Sequence, residues 1–228
     1  MTLGLSIPLF NEAALVTEVV VSIHAALKAA SVPATLVLVN NGSTDDTGAC
    51  IDELRIAGEI EAIHLRENLG YGGGILSGLA HLEAQGLPDV IGWCWGDGQV
   101  RPRLLAELYG EILAGADLAK VHRTERRDGL ARQAVTAVYS ATMALSGVRE
   151  PDVNGCPKLM TRACFEAIQP RSADWFLDAE VVLRAERLGM SIARRPAVMH
   201  PRRAGESKVK LGTIAEFAIN LACWHARR

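Results

Sequence analysis

A carboxylate and an amide two positions apart, Asp97 and Gln99, stand in the turn Gly96-Asp97-Gly98-Gln99 directly after the apolar run Val90–Trp95. Oxygen ligands of this kind suit a hard divalent cation, and glycines on either side let the backbone approach a bulky ligand. The same residues also read as a reverse turn in which Asp97 caps the next helix, predicted over Arg103–Ala114. A second polar segment, Asn40-Asn41-Gly42-Ser43-Thr44-Asp45, carries two adjacent amides able to pair with the polar edge of a nucleobase. Its alternative is an Asx-turn and helix cap. A third, Asn68-Leu69-Gly70-Tyr71-Gly72-Gly73-Gly74, is glycine-rich and precedes a predicted helix, as a phosphate site or a flexible turn would. It lacks both the G-x-G-x-x-G spacing of dinucleotide folds and the Gly-Lys-Ser/Thr of a P-loop, which argues against an NAD enzyme and a P-loop ATPase.

The elements that must position these segments follow from periodicity. Leu3–Leu9 reads as a strand and Glu12–Ala30 as a helix with apolar residues at helical spacing. Thr35–Val39 is a second strand, and Ser43 to Asp46 supply cap chemistry for a helix through about Ile56. Ile60–Leu65 is a third strand, followed by a helix ending near Gln85, and Val90–Trp95 is a fourth. Asp117–His122 reads as a fifth. Strands alternating with helices predict a mostly parallel, doubly wound α/β sheet with helices on both faces, and ligands in such sheets bind at the carboxyl edge. Beyond residue 122 the pattern loosens. A helix is predicted over Leu130–Leu145, a short strand over Cys156–Met160, and helices over Arg162–Ile168 and Asp178–Leu188.

With 228 residues, 49% hydrophobic and 22% charged, the chain suits one α/β domain. A net charge of −2 gives no reason to expect a nucleic-acid footprint over the whole surface. Five widely spaced cysteines without a Cys-x-x-Cys pair read as reduced thiols. With no signal peptide or spanning helix in the sequence, the expectation is a cytoplasmic protein, peripheral at most at the inner face of the membrane.

Taken in order, SIPLFNEA (Ser6–Ala13), VNNGSTDDT (Val39–Thr47), ENLGYGGG (Glu67–Gly74) and WGDGQ (Trp95–Gln99) resemble the successive signatures of family 2 glycosyltransferases, which have the GT-A nucleotide-sugar fold. HRTERRDGLAR (His122–Arg132), NGCPKLMTR (Asn154–Arg162), WFLDAEVVLRAERLG (Trp175–Gly189) and RRAGESK (Arg202–Lys208) resemble the branch that holds dolichyl-phosphate mannose and glucose synthases. The resemblance implies an inverting hexosyltransferase that uses Mg2+ or Mn2+ and a nucleotide-diphosphate sugar, with a polyprenyl phosphate as acceptor. A soluble or protein-bound hydroxyl acceptor, or a non-catalytic nucleotide-sugar-binding relative, are the alternatives.

Carried over residue by residue, Pro8, Asn11 and Glu12 match the first nucleotide-binding turn, and Asn40, Asn41 and Ser43 the base-side loop. Asn68, Gly70 and Gly74 match the glycine-rich segment. Asp97 matches the second aspartate of the D-x-D pattern and Gln99 a polar position able to complete metal coordination, with His200 as a further metal ligand. Trp95 stands where the first aspartate is expected. Arg123 and Arg132 match arginines near the acceptor or diphosphate, and Arg202, Ser207 and Lys208 match a loop closing over the donor phosphates. Asp178 is the candidate base for a hydroxyl acceptor; an anionic phosphate needs none.

These assignments divide the single domain into a nucleotide-binding half, 1–122, and an acceptor-side half, 123–210. The tail, 211–228, is expected to be an amphipathic helix that packs, joins two copies as a homodimer, or touches a membrane surface.

Overall fold

The computed structural model describes residues 1–125, 150 and 152–198. The predicted Leu130–Leu145 helix, the C-terminal amphipathic helix, Arg132, His200, Arg202, Ser207 and Lys208 lie outside the described residues.

Among the described residues seven strands form one sheet: β1 (Leu3–Leu9), β2 (Ala34–Asn41), β3 (Ile60–Leu65), β4 (Val90–Trp93), β5 (Leu118–Glu125), β6 (Lys158–Thr161) and β7 (Ile192–Val198). Their spatial order is β3-β2-β1-β4-β6-β5-β7. All neighbours run parallel except β6, which is antiparallel to both β4 and β5. The helices are α1 (Val16–Ala29), α2 (Thr47–Glu53), α3 (Gly70–Ala84), α4 (Arg103–Leu113), α5 (Arg162–Ile168) and α6 (Leu177–Arg187). The sheet is thus mostly parallel and doubly wound, as the alternation predicts. β7 and the reversal at β6 were not foreseen.

Strand alternation builds two cores. Leu36 and Leu38 of β2, with Val90 and Cys94, face α1 and α4, while Val37, Val39, Ile91 and Trp93 face α3, α5 and α6. Each face therefore reads as near-continuous Val, Ile and Leu, the pattern of strands buried on both sides.

The chain leaves β1 toward β2 on one side and reaches β4 on the other, so the order reverses between β1 and β4. At such a switch point the connecting loops diverge and leave a crevice beyond the carboxyl ends of the strands.

Candidate active site

On the β2 side of the crevice the loops are tied to each other by side chains. Asn11 holds a left-handed backbone, φ 53°, which asparagine tolerates better than most residues. Its Oδ1 accepts from Thr44 N at 2.9 Å, and its own N–H donates to Ser43 Oγ at 3.1 Å. Glu12 N donates to Thr47 Oγ1 at 2.8 Å, and Ala13 N to Asp45 Oδ2 at 3.2 Å. Burial raises the Asp45 carboxyl, but hydrogen bonds from the Thr47 hydroxyl, the Thr47 amide and the Ala13 amide hold it net below its ordinary value. The expected capping role of this segment is met differently from a simple N-cap: Asp46, at the cap position of α2, makes no side-chain cap bond, and Asp45 receives Thr47 N instead.

The paired asparagines are largely consumed by the fold. Asn40 Oδ1 accepts from Ser43 N at 3.0 Å, and its amide nitrogen meets His64 Nδ1 at 3.2 Å. Asn41 is buried; it donates to Gly70 O at 2.9 Å and to Asn68 Oδ1 at 3.2 Å, and accepts from Leu69 N at 3.0 Å. Asn68 in turn accepts from Gly70 N at 2.8 Å. Asn41 and Asn68 thereby fix the entry to α3.

The glycine-rich segment is not a loop ahead of a helix; it is the first turn of α3. A side chain at Gly72 would strike the backbone of Ser172 to Asp174, and one at Gly74 would strike Asn41 and approach Pro8. Gly73 N donates to Ala173 O at 2.8 Å. One helical amide that a phosphate would need is therefore already satisfied, and the glycines let α3 sit against β1 and the segment before α6.

At the end of β4 the apolar run stops being a strand two residues early, at Trp93. Asp97 is 7% exposed, and its Oδ1 accepts from Gln99 N at 3.1 Å, closing a tight Asx-type turn. Gly96 lies against Leu9, and Gly98 has φ +68°, a backbone region open mainly to glycine. The helix-cap alternative does not hold, because the cap position of α4 is Pro102 and no side chain caps it. Among the described residues no three His, Cys, Asp or Glu side chains cluster as a metal cage. A carboxylate and an amide oxygen nonetheless fit Mg2+ or Mn2+, which commonly retain water and take substrate phosphate oxygens to complete their shell.

Trp95 points toward the opposite wall. Its Nε1 donates to the Tyr71 hydroxyl at 3.0 Å, and Tyr71 donates to Asp178 Oδ2 at 2.8 Å. Burial first, and the Asp178 carboxylate second, push the Tyr71 phenol well above its ordinary value, so it remains a donor. Asp178, 3% exposed in the first turn of α6, also receives Trp93 Nε1 at 3.3 Å and pairs with the fully buried Lys158 ammonium. Lys158 further donates to Gly155 O at 2.7 Å. Asp178 thus serves a buried ion pair with three donors. Glu180, two positions on, turns to the backbone amides of Arg171 and Ser172 and to Arg184.

Farther along the sheet, Lys120 pairs with Glu150 at 2.9 Å, both fully buried, and Glu150 also takes Arg194 at 2.7 Å. Arg123 grips Asp152 through its Nε and through a second nitrogen, and its N–H donates to the same carboxylate at 2.8 Å. Burial opposes ionisation of Asp152, but the Arg123 guanidinium overrides it and holds the carboxyl well below the usual carboxylate range.

The family model for glycosyl transferase family 2 matches residues 5–178. The chain belongs to that family. This family 2 glycosyltransferase is 27% identical to a polyprenol monophosphomannose synthase of Mycolicibacterium smegmatis, over 97% of this chain and 86% of that protein. Its fold resembles a glucosyl-3-phosphoglycerate synthase from Mycobacterium tuberculosis solved with Mn2+, UDP-glucose and phosphoglyceric acid, at TM-score 0.72 and 21% identity, over 97% of this chain and 79% of that one. It also resembles a mannosyl-3-phosphoglycerate synthase from Rubrobacter xylanophilus, at TM-score 0.75 and 15% identity, over 100% of this chain and 74% of that one. The fold is GT-A.

In this family 2 glycosyltransferase, Pro8, Asn11, Glu12, Asn40, Asn41, Ser43, Asn68, Gly70, Gly74, Asp97 and Gln99 all come to the carboxyl edges of β1 to β4 or to the entry of α3. Arg123 lies at the far end of β5, bound to Asp152. Sequence reasoning missed Tyr71, Lys158 and Asp152. Tyr71 was within reach, as an aromatic residue inside a glycine run. Lys158 carried no signal, since its burial depends on the antiparallel pairing of β6.

Proposed function

We propose that the chain moves a hexose from a nucleotide-diphosphate sugar to a polyprenyl phosphate with inversion, in a reaction dependent on Mg2+ or Mn2+. The observation that carries the acceptor class is the state of Asp178. A general base must reach the proton it removes and be free to take it. Asp178 instead receives Tyr71, Trp93 and Lys158. A phosphate acceptor is anionic already and needs no base, and the mannose synthase relative is named for a polyprenol phosphate product.

Asp97 and Gln99 would hold the divalent ion, which when bound neutralises charge on the leaving diphosphate. The turn of Gly96 to Gln99 orients the diphosphate over the β1–β4 crevice, and the ties among Asn11, Ser43 and Thr44 fix the nucleoside side. An acceptor phosphate oxygen attacks the anomeric carbon from the face opposite the diphosphate. The bond to the diphosphate oxygen breaks with its electron pair, so configuration inverts.

A hydroxyl acceptor is the second reading, supported by the fold shared with phosphoglycerate-glycosylating enzymes. Radiolabelled GDP- and UDP-hexoses offered with Mn2+ to polyprenyl phosphate, 3-phosphoglycerate and a polyprenol decide between them. Labelled product from the lipid phosphate alone is expected. Product from 3-phosphoglycerate alone replaces the reading by the second, and no donor consumption with any acceptor or water points to a binding relative.

A further inference from the structure

The indole at position 95 is matched to its neighbours in a way a carboxylate would not be. The Tyr71 hydroxyl spends its single proton on Asp178, so a polar partner at position 95 can meet its oxygen only as a donor. Trp95 Nε1–H does so at 3.0 Å. An aspartate there would set a second acceptor against a hydroxyl with nothing left to give, close to the Asp178 charge.

The same bond fixes a wall of rings. Tyr71 stacks on Trp175 with centroids 4.4 Å apart and planes within 3°. Trp93 is fully buried behind them, so three of the chain's four tryptophans gather at this place. Trp95 and Trp175 are each only partly buried, and Tyr71 lies between them, bonded to one and stacked on the other. The wall's position is set at both ends. Tyr71 is in the turn of α3 whose Gly74 abuts Asn41 of β2 and Pro8 of β1, and Trp95 lies two residues before Asp97. With the diphosphate at Asp97 and the base toward the β2 edge, as the proposed function has them, the Trp95 ring is the aromatic surface next to the diphosphate site in the chain, and Tyr71 ties it to the α3 turn that abuts β2.

We infer that Trp95, braced by Tyr71 and Trp175, is a platform for the nucleoside of the donor, which this chain holds by ring contact where a carboxylate is expected. The inference rests on the reading of the chain as a nucleotide-sugar enzyme. The platform acts on the nucleoside and Asp97 on the diphosphate, so nucleoside affinity survives removal of the divalent ion. Contact between a base and an aromatic side chain is commonly worth about tenfold or more in affinity.

The test is calorimetric titration of the full chain with UMP, GMP, UDP and GDP, in EDTA and in Mn2+, and with Mn2+ and inorganic pyrophosphate. The wild type is expected to bind a nucleoside monophosphate in EDTA. Trp95→Ala should weaken that binding about tenfold or more, and Trp95→Phe, which keeps a ring, much less. Pyrophosphate binding should be equal in all three. Trp95→Asp, checked for folding by circular dichroism, should lose monophosphate binding in EDTA and make diphosphate binding depend on Mn2+. Unchanged monophosphate affinity in Trp95→Ala, with UDP or GDP still bound, overturns the platform and leaves the enzyme reading intact. Failure of the wild type to bind any nucleotide in Mn2+ overturns both.

Discussion

Asp97 and Asp178 are nearly equally buried, at 7% and 3% exposure, yet they sit in regions built on different terms. Beyond β1 and β2 the loops are braced largely by neutral side chains, Asn11, Asn40, Asn41, Ser43 and Asn68, together with Asp45, and beyond β4 Asp97 closes its own turn on a backbone amide. Around Asp178 the neighbours are a buried ammonium, a phenol and an indole, and the carboxylate belongs to the core. The first region spends its amides on geometry. The charged seam of β6, β5 and α6 pairs its buried cations internally: Lys158 with Asp178, Lys120 with Glu150, Arg123 with Asp152. Two lysines placed directly opposite each other on β5 and β6 are tolerable only on those terms.

The sharpest way to break this contrast is to remove one member of the buried pair. Asp178→Ala leaves the Lys158 charge unpaired and should cost about 3–5 kcal/mol of folding free energy. Urea denaturation measures it, and joint replacement, Asp178→Leu with Lys158→Met, should recover only the part due to the unpaired charge, because Tyr71 and Trp93 still lack their acceptor. A loss below about 1 kcal/mol for the single variant would mean that the carboxylate does not hold a buried charge.

Asp97→Ala should do the reverse. Transfer from a nucleotide sugar is expected to fall about 100-fold or more, the scale for losing one group aimed at developing charge. The denaturation midpoint should stay close to that of the wild type. Steady-state rates with Mn2+ check the first half, and undiminished turnover would remove Asp97 from the site.

The smallest effect is a pH dependence confined to the charged seam. Burial raises Glu150 but Lys120 and then Arg194 lower it further, and Asp152 is lowered by Arg123, so both titrate below their ordinary values of 4.5 and 3.8. Carboxylates depressed in the folded state contribute stability that is complete above those ordinary values and is lost as pH falls through the folded ones. Melting temperature should therefore decline in acid, and Arg123→Met should flatten the Asp152 part of that decline. An acid limb identical in the variant would assign it to other carboxylates.

Much of the frame was legible from local pattern. Leu3–Leu9, Ile60–Leu65 and Arg162–Ile168 fall where periodicity put them, since apolar runs between turn residues are local facts. The glycine-rich segment misled because glycine opposes a helix locally, while here α3 needs close approach to Pro8, Asn41 and the backbone of Ser172 to Asp174. β4 ends at Trp93, where its pairing with β1 and β6 stops, and Trp95 beyond it meets Tyr71, a partner on another element. β7 lies on an edge in a stretch rich in arginine, which reads as surface.

By itself the sequence determined the family, the alternation of strands and helices, and the identity of the turn that carries Asp97 and Gln99, because each rests on residues adjacent in the chain. Tertiary structure alone decided that Asn41 and Asn68 fasten α3, that Asp178 is held by Lys158, and that Trp95, Tyr71 and Trp175 form one wall. Those outcomes depend on which polar groups meet once the strands pair, with β6 reversed beside β4 bringing Lys158 next to Trp93. A buried charge is settled by its partner, and the partner is distant in sequence.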